Sequence, residues 1–393
     1  MRPRDLLSFE PLDLVDRVVH SGLSGRGGGG FATGSKWRAV RREGGEPLVV
    51  ANGAEGEPGS IKDRWVMARR AEEMLLGVAI AARAVAAREA IVFLKGAFAE
   101  SARTLEAARE ELGLALPIRV HRGPDAYVAG EETAILESLE GRVAWPRPKP
   151  PYPAAVGYQG RPTLIQNVET LACVPAAAAD PDAFRANPRR LVSLWGHVRR
   201  PGVHELSGAT TVRRAIDELG EGAPDGVAMV FPSGPSAPPL FADELDTQLD
   251  PEALAKRGSA LGTASLLVVG KSSDPFSVLA SLAAFFEREA CGQCPPCTVG
   301  TASLHRIVQT AAERRARDST DLRTAAGFMQ DHGYCAHCRT AARSVTGLFE
   351  RARARFSTGA GTRACRPFDP DSPERSAIEA VATGFANAPR ART

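Results

Sequence analysis

The sequence predicts an α/β protein of several domains, and three observations carry that prediction. From residue 5 to 121, short apolar runs alternate with longer amphipathic stretches, as in an open sheet that binds ligands at the carboxyl ends of its strands. Residues 190–270 read as a smaller α+β module. Residues 276–356 read as helices rich in Ala and Arg, and this part holds most of the seven cysteines. A chain of 393 residues has room for two or three domains.

Apolar residues at helical spacing predict the helices, and short runs of apolar residues predict buried strands. In the first part, helices are predicted over 5–20, 64–87 and 98–112, and strands over Pro47–Ala51, Ala90–Leu94 and Ile118–His121. Further strands are predicted over Leu191–Trp195, Val227–Phe231 and Leu266–Val269. Further helices are predicted over Thr211–Leu219, Phe276–Ala290, 301–316, 320–330 and 339–356.

A glycine-rich stretch, Ser21–Trp37, follows the first predicted helix. Glycine lets backbone N–H groups approach a ligand closely, and positive charge beside them favours a phosphate. An aromatic ring at the edge of the stretch can lie against a planar group. The alternative is a flexible linker, which needs neither cations nor an aromatic ring. The candidate residues for a phosphorylated cofactor are Gly25, Arg26, Gly27, Gly28, Gly30, Phe31 and Lys36.

Carboxylates occur in two later glycine-containing turns, and a cation and an aromatic ring lie on a Pro-rich loop. Carboxylates can accept hydrogen bonds from ribose hydroxyls, a carboxamide or ring N–H groups. The alternatives are favourable placement of Glu131 and Glu132 at a helix N-terminus, and surface packing of the Pro-rich loop. The candidates are Glu55, Glu57, Tyr127, Gly130, Glu131, Glu132, Lys149, Tyr152, Gln166, Asn167 and Thr170.

Cys291, Cys294 and Cys297 form a C-x₂-C-x₂-C motif, and Cys335 and Cys338 follow at a distance. Three thiolates at this spacing with a distant fourth suit one [4Fe–4S] cluster. The alternative is zinc held by two C-x-x-C pairs, which would leave the first cysteine of the motif unused. Spacing does not choose between the two later cysteines as fourth ligand. Cys173 and Cys365 are interpreted as structural or incidental.

Composition and charge restrict the possible classes of function further. A net charge of +3 and a charged fraction of 24% are ordinary for a globular protein and do not indicate nucleic-acid binding. The most apolar stretch, Met74–Phe93, contains Arg83, Arg88 and Glu89, which argues against membrane insertion. Clustered thiols indicate a reducing compartment, and acidic residues near the N-terminus interrupt any apolar core of a signal peptide. We therefore expect a cytoplasmic protein, with peripheral docking to a membrane complex left open.

Six motifs, in the same order along the chain, resemble one family: the NADH-oxidising flavoprotein subunit of respiratory complex I and the related diaphorase subunits of NAD-linked hydrogenases and formate dehydrogenases. The resemblance covers about residues 20–350. Its motifs are Gly25–Trp37, Asn52–Arg64, Gly130–Thr133 with Ser138–Gly141, Lys149–Ala154 with Asn167–Ala172, Ser193–Val203, and Cys291–Cys297 with Tyr334–Cys335.

The resemblance implies FMN, a [4Fe–4S] cluster and NAD(H) as cofactors and substrate. It implies that the Gly25–Gly30 loop holds the FMN phosphate, and that Asn52, Glu55, Asn167 and Thr170 hold the flavin or its ribityl chain. The residues that match the nucleotide side are Phe31, Glu57, Glu132, Lys149 and Tyr152, and the cluster ligands are Cys291, Cys294, Cys297 and Cys335. Hydride transfer would be carried by FMN, without a catalytic side chain.

The resemblance also implies a domain order and a partner. It predicts a Rossmann-like α/β domain for FMN and NADH over 1–180, a β-grasp module over 188–272 and a helical iron–sulfur domain over 275–357. Residues 358–393, rich in Gly, Pro and charge, are predicted to be a disordered tail. The electron acceptor would be a separate iron–sulfur subunit or protein, since no such domain is evident here.

Some positions depart from the family pattern. Ala54 and Gly56 stand where an Asp and a Ser are usual, Gln166 where Asn is frequent, and Ala39 where an aromatic residue is common. Two alternative functions therefore stay open. One is an electron-relay homologue that keeps the cluster but has weakened or lost NADH oxidation. The other is a β-grasp and zinc scaffold for assembly.

Overall fold

The structure is a computed structural model, and it describes residues 2–207, 209–314, 320–353 and 361–387. These residues divide into two compact units. The first contains residues 2–56, 61–191 and 382–387, and the second contains residues 57–60 and 192–381. Within the described residues, no helix combines the length and the apolar character that a membrane span needs.

A four-stranded parallel sheet forms the centre of the first unit, with strand order β3-β2-β1-β4. Val50 of the central strand pairs with Ile91 on one side and with Ile165 on the other. All three side chains are buried, because helices cover both faces of a sheet of this kind. The strands are β1 Leu48–Gly53, β2 Ala90–Lys95, β3 Ile118–Gly123 and β4 Thr163–Asn167.

The helices of the first unit pack around this sheet. Gly77 of α4 lies so close to α7 that an added Cβ would approach the carbonyl oxygen of Leu171 to 1.9 Å, so only glycine allows this helix contact. The helices are α1 Pro11–His20, α2 Thr33–Glu43, α3 Lys62–Arg69, α4 Ala71–Val85, α5 Ala99–Leu112, α6 Glu132–Leu139, α7 Val168–Ala179 and α8 Pro181–Ala186, with 3₁₀ turns at Pro3–Ser8, Tyr127–Gly130 and Tyr158–Gly160.

The second unit begins with a mixed five-stranded sheet of order β6-β5-β9-β7-β8. β5 runs parallel to β9, whereas β7 runs antiparallel to both β9 and β8. The strands are β5 Arg190–Gly196, β6 Gly202–Leu206, β7 Val227–Pro235, β8 Leu240–Phe241 and β9 Ser265–Gly270. A short helix α9, Val212–Arg214, continues as a π turn over Ala215–Leu219. This is the small α+β module that the sequence predicts.

The remainder of the second unit is helical, as predicted. Its helices are α10 Pro251–Lys256, α11 Pro275–Arg288, α12 Pro295–Arg314, α13 Thr320–His332, α14 Ala336–Ala352 and α15 Pro373–Thr383, and 3₁₀ turns occur at Ala242–Glu244 and Gly384–Asn387. The multi-domain α/β fold class is therefore confirmed.

Three sequence predictions differ from the structure. The helix predicted over 5–20 is divided into the 3₁₀ turn Pro3–Ser8 and α1, because Phe9 and Glu10 have extended backbone conformations. The helix predicted over 64–87 is two helices, because Arg70, with φ −128° and ψ 36°, leaves the helical conformation between α3 and α4. The predicted disordered tail is structured over residues 361–387, where Phe368 is fully buried and α15 forms. The rest of that tail, residues 358–360 and 388–393, lies outside the described residues.

Candidate functional site

A cavity of about 840 Å³ opens in the first unit at the carboxyl ends of β1 and β4. Its volume is in the range of cofactor pockets. Asn52 is the penultimate residue of β1, Gln166 and Asn167 are the last two of β4, and all three residues belong to the lining. The lining residues are Gly25, Gly27, Gly29, Gly30, Phe31, Lys36, Ala39, Arg42, Glu43, Asn52, Gly130–Glu132, Lys149–Ala155, Ile165–Asn167 and Thr170.

The glycine-rich loop forms one wall of the cavity. The backbone N–H of Gly25 donates to the carbonyl of Phe31 (2.9 Å), which closes the loop on itself. Gly30 has φ +61°, a conformation that glycine adopts without strain. An added Cβ at Gly27 would approach the Cβ of Asn167 to 3.0 Å, which is closer than real Cβ contacts normally come. The loop therefore presents bare backbone to the cavity, as a phosphate requires.

A buried network fixes the floor of the cavity. Asn167 Oδ1 accepts from the Glu169 N–H (2.9 Å) and so caps α7, while Asn167 Nδ2 donates to Asp63 Oδ2 (2.6 Å). Lys62 Nζ lies 2.6 Å from Asp63 Oδ1 and 2.9 Å from Glu169 Oε2. Thr170 Oγ1 accepts from a backbone N–H of the glycine-rich loop at 2.8 Å. The positions of Asn167 and Thr170 are therefore set by buried partners.

The charges of this floor are paired. Lys62 is 1% exposed. Although burial opposes its charge, Asp63 and Glu169 raise the pKa of Lys62 above its usual range. Burial also opposes the ionisation of Glu169, but the cations Lys62 and Arg26 hold the pKa of its carboxyl below the usual value. Removing one member of such a network would leave an uncompensated buried charge.

Asn52 and Gln166 are oriented by hydrogen bonds. Asn52 Nδ2 donates to the carbonyl of Gly130 (2.9 Å), and Asn52 Oδ1 accepts from the N–H of Ala54 (3.0 Å). Gln166 Oε1 accepts from the indole N–H of Trp37 (2.7 Å). Because these oxygens are engaged, the amide nitrogen of Gln166 is the group that is suited to face a ligand.

Four side chains at the cavity form a chain of ion pairs. Lys36 Nζ lies 2.9 Å from Glu132 Oε2, and Lys149 Nζ lies 2.8 Å from Glu132 Oε1 and 2.7 Å from Glu131 Oε1. Burial opposes ionisation of Glu132, but the two lysines lower the pKa of Glu132 to about 2. In turn, although burial opposes its charge, the two glutamates raise the pKa of Lys149. Glu132 and Lys149 therefore stay charged at neutral pH.

Two aromatic rings stand at the cavity with large exposed surfaces. Phe31 is 67% exposed and Tyr152 is 59% exposed, and both belong to the lining. Apolar rings at a cavity of this size offer faces on which a planar ring of a ligand can stack.

Five predicted residues are placed elsewhere. The guanidinium of Arg26 is buried and donates to the carbonyl of Arg189 (3.0 Å). Glu55 accepts from the N–H groups of Asp63 (2.9 Å) and Arg64 (3.3 Å), so it serves the first turn of α3. Glu57 belongs to the second unit, where it accepts from the hydroxyl of Ser236. The last two, which are not among the lining residues, are Gly28 in its turn (φ +112°) and Tyr127 in its 3₁₀ turn.

Several lining residues were not predicted. Arg42 and Glu43 follow Lys36 and Ala39 at helical spacing on α2, and this periodicity was the signal that could have found them. Lys62 and Asp63 were also missed. Their signal was weak, because a Lys-Asp pair at the start of a helix is ordinarily a solvated one.

The cysteines lie where α12 and α14 begin. Cys294 and Cys297 are each 3% exposed, and Cys338 is fully buried in the first turn of α14. Cys335 occupies the N-cap of α14. A hydrogen bond to Cys338, together with burial and the neighbouring thiols Cys294 and Cys335, raises the pKa of the Cys297 thiol. Cys294, Cys297, Cys335 and Cys338 therefore lie near one another, as ligands of a cluster must.

Comparisons with known proteins agree with both sites. Residues 18–176 match the family model of the Nuo51 FMN-binding domain, and residues 277–358 match that of the NADH-ubiquinone oxidoreductase-F iron-sulfur binding region. The second F-type subunit of NADH-quinone oxidoreductase from Rhizobium meliloti (strain 1021) is 36% identical over 386 residues, which cover 92% of this chain and 91% of the relative. The chain belongs to the family of NADH-quinone oxidoreductase F subunits.

Another member and a solved structure extend the match. The NADH-quinone oxidoreductase F subunit of Streptomyces coelicolor (strain ATCC BAA-471 / A3(2) / M145) is 35% identical over 391 residues, which cover 93% of this chain and 87% of that relative. A chain of an NAD⁺-reducing [NiFe]-hydrogenase in the H₂-reduced state superposes with a TM-score of 0.82 at 30% identity, over 92% of this chain and 65% of the hydrogenase chain. For this member of the family, the predicted FMN and iron–sulfur cofactors are confirmed.

Proposed function

We propose that this member of the F-subunit family oxidises NADH in the glycine-lined cavity and passes the electrons through a [4Fe–4S] cluster to a partner protein. The observation that carries the proposal is the cavity itself. Bare glycine backbone forms one wall, ordered amides form the floor, and exposed aromatic rings stand beside it. Within one 840 Å³ volume, these features serve a phosphate, a flavin ring and a nicotinamide ring.

The residues that would hold FMN are the loop Gly25–Gly30, Asn52, Gln166, Asn167 and Thr170. The fit is supported by the close approach at Gly27, where any Cβ would meet Asn167. When bound, FMN supplies an acceptor that takes two electrons with a hydride and releases them one at a time. The side-chain amides of Asn52 and Gln166 would orient FMN, because hydrogen bonds to other parts of this chain hold each amide in place.

The residues that would hold NADH are Phe31, Lys36, Glu132, Lys149 and Tyr152. The lysines can contact the pyrophosphate, because each is a cation at the edge of the cavity. The carboxylates hold the lysines in place and can accept hydrogen bonds from ribose hydroxyls. Since flavin chemistry moves the hydride, these side chains act by positioning the nucleotide.

For the cluster, we propose Cys291, Cys294, Cys297 and Cys335 as ligands. Cys335 lies at the N-cap of α14, where the free N–H groups of the helix favour a thiolate. Cys338 is the rival, and its Sγ lies 3.4 Å from the carbonyl oxygen of Met329, to which it donates. That hydrogen bond gives Cys338 a structural partner of its own.

The partner is proposed to be a separate iron–sulfur electron-transfer subunit or protein. The relatives support this proposal, because they are named as subunits of a quinone oxidoreductase. Peripheral association with such an assembly is part of the same proposal.

The decisive experiment is an anaerobic visible spectrum of the purified protein before and after NADH is added. We expect NADH to bleach the flavin band near ~450 nm and to reduce the cluster. Dithionite serves as the control reductant. A flavin and a cluster that respond to dithionite but not to NADH would establish the electron-relay alternative. Protein that contains zinc, without flavin or iron, would establish the scaffold alternative.

The same spectra on two matched variants choose the fourth ligand. Cys335→Ser is expected to lose the cluster absorption and its iron while keeping FMN. Cys338→Ser is expected to keep both. The reverse pattern would assign the ligand to Cys338.

A further inference from the structure

A group of three metal-binding side chains lies in the second unit, apart from the cluster motif in sequence. His197 Nε2 and Cys365 Sγ each lie 3.9 Å from Glu374 Oε1. One donor atom from each residue lies within 4.8 Å of both others. Across the described ranges of the chain, this is the one set of three His, Cys, Asp or Glu side chains with that property. The C-x₂-C-x₂-C motif contributes none of its members.

Three well-fixed elements position the group. The N–H of His197, directly after β5, donates to the carbonyl of Val268 on β9 (2.9 Å). The N–H of Cys365 donates to Ser277 Oγ (2.8 Å), and that hydroxyl donates to the carbonyl of Cys365 (3.0 Å). Glu374 is the second residue of α15. The backbone thus holds each donor before any ligand binds, which lowers the cost of assembling a site.

The three side chains are largely enclosed. Cys365 is 4% exposed. The side chains of His197 and Glu374 are 17% and 15% exposed. His197 Nδ1 is buried and without a hydrogen-bond partner, whereas Nε2 is the ring nitrogen that lies near Glu374 and that the site would use. Polar groups this enclosed and this close together are costly unless something bridges them.

We propose that His197, Cys365 and Glu374 bind a divalent cation of the zinc type. An imidazole, a thiolate and a carboxylate are the donor classes that zinc takes, and three protein ligands leave a fourth position for water. Zinc ligands at about 2.0–2.3 Å place their donor atoms roughly 3.3–3.7 Å apart. The two separations of 3.9 Å therefore need to contract by only a few tenths of an ångström.

The charges around the site are mixed. Asp225 interacts electrostatically with His197, and such a carboxylate can steady a metal-bound imidazole. Arg363 also interacts electrostatically with Cys365, and its positive charge opposes the binding of a cation. Binding would form one bond from each donor to the metal and release the thiol proton of Cys365 to solvent, with no change of oxidation state. The thiolate and the Glu374 carboxylate would then balance the charge of the cation.

A bound metal would attach the C-terminal segment, residues 361–381, to the rest of the second unit. Cys365 and Glu374 belong to that segment, and His197 directly follows β5 in the same unit. A metal shared by them would stabilise the folded second unit, because it cannot bind the unfolded chain as tightly.

The test is the zinc content of the full-length protein, measured beside iron and FMN by plasma mass spectrometry and absorbance. We expect about one zinc per chain in the wild type. His197→Gln, Cys365→Ser and Glu374→Gln should each lower zinc at least about tenfold and leave iron and FMN unchanged. His204→Gln is the matched control, since His204 is another histidine of the same sheet with a buried, unbonded nitrogen. Zinc that is absent from the wild type, or that persists in all three variants, would overturn the proposal.

A measurement on the wild type covers the case in which the variants do not fold. X-ray absorption at the zinc edge should show one sulfur and two or three nitrogen or oxygen neighbours. A shell of four sulfurs would place the zinc on the cluster cysteines and would overturn the proposal. Added zinc should also raise the melting temperature of zinc-depleted wild-type protein but not that of Cys365→Ser.

Discussion

At the scale of single residues, the ion pairs of the cavity have two tasks, because the same side chains hold one another and face the proposed nucleotide. Glu132 lies between Lys36 and Lys149. The pKa of its carboxyl, lowered from 4.5 to about 2, means that its charge is complete above the usual carboxyl pKa. The stabilisation from these pairs is therefore fully present above pH 4.5 and is lost as the pH falls towards 2.

The first prediction follows for Lys149. Lys149→Met should raise the KM for NADH about tenfold, the equivalent of ~1.4 kcal/mol, with kcat changed less than about twofold, because it removes a charged contact to bound nucleotide and no reacting group. The ratio of mutant to wild-type KM should stay flat from about pH 6 to 8, since the pKa of its partner Glu132, lowered to about 2, keeps that carboxylate charged there.

The control for this prediction is Lys256→Met. Lys256 is exposed and pairs with Glu252 on α10, so its loss should leave both kinetic constants unchanged. A Lys149→Met enzyme with wild-type KM would remove Lys149 from the proposed nucleotide site.

Sequence reasoning reached part of this site, and the reason lies in individual residues. Glycines, Lys149 and Tyr152 were predicted because their chemistry is visible in the local pattern, and the cavity contains them. The direction of the Arg26 side chain was not predictable, because its partner, the carbonyl of Arg189, lies 163 positions away. The contact of Glu57 was not predictable for a similar reason, since its partner Ser236 lies 179 positions away.

At the scale of helices and strands, one close contact links the fold to the cavity. α4 and α7 approach at Gly77, and α7 begins at the capping residue Asn167 on the cavity floor. A shift of α7 would therefore displace both Asn167 and Thr170 from the positions proposed to hold FMN.

The second prediction tests this contact with Gly77→Ala. The added Cβ would meet the carbonyl oxygen of Leu171 at 1.9 Å, so the helices must separate. We expect a loss of ~1–3 kcal/mol in the free energy of unfolding by chemical denaturation, and less bound FMN after purification.

Gly327→Ala is the matched control, because Gly327 also lies within a helix but an added Cβ meets nothing within 4 Å. That variant should be neutral or gain up to about 1 kcal/mol from helix propensity. If the two alanine variants were equally stable, the α4–α7 contact would not be as tight as described.

The elements themselves were largely predictable. β1, β2 and β3 were found within a few residues, because a parallel strand covered on both faces reads as a continuous apolar run. β4 was not predicted, because only Leu164 and Ile165 of its five residues are apolar. The break at Arg70 was not found, because arginine is a good helix former and nothing local marks its conformation.

At the scale of the whole molecule, the C-terminal segment is where the structure differs most from the sequence prediction. Its Gly, Pro and charged residues suggested disorder, but a few apolar side chains attach it to the second unit. The Phe368 ring lies 5.3 Å from that of Phe231 at 86°, and the Phe368 N–H donates to Ser281 Oγ (3.0 Å). The composition of a segment describes all of its residues together, whereas its packing against a domain depends on one or two buried side chains.

The last prediction concerns this anchor. Phe368 is fully buried, so Phe368→Ala should cost ~3–5 kcal/mol of stability and loosen the segment that carries Cys365 and Glu374. Phe328→Ala is the control, because that ring is 50% exposed and its loss should stay within about 0.5 kcal/mol. Urea unfolding measures both costs, and limited proteolysis should cut the C-terminal segment of Phe368→Ala first. Equal midpoints for the two variants would mean that the segment does not contribute to the core of the second unit. Faster cleavage with unchanged iron content would show that the segment can detach while the cluster site stays intact.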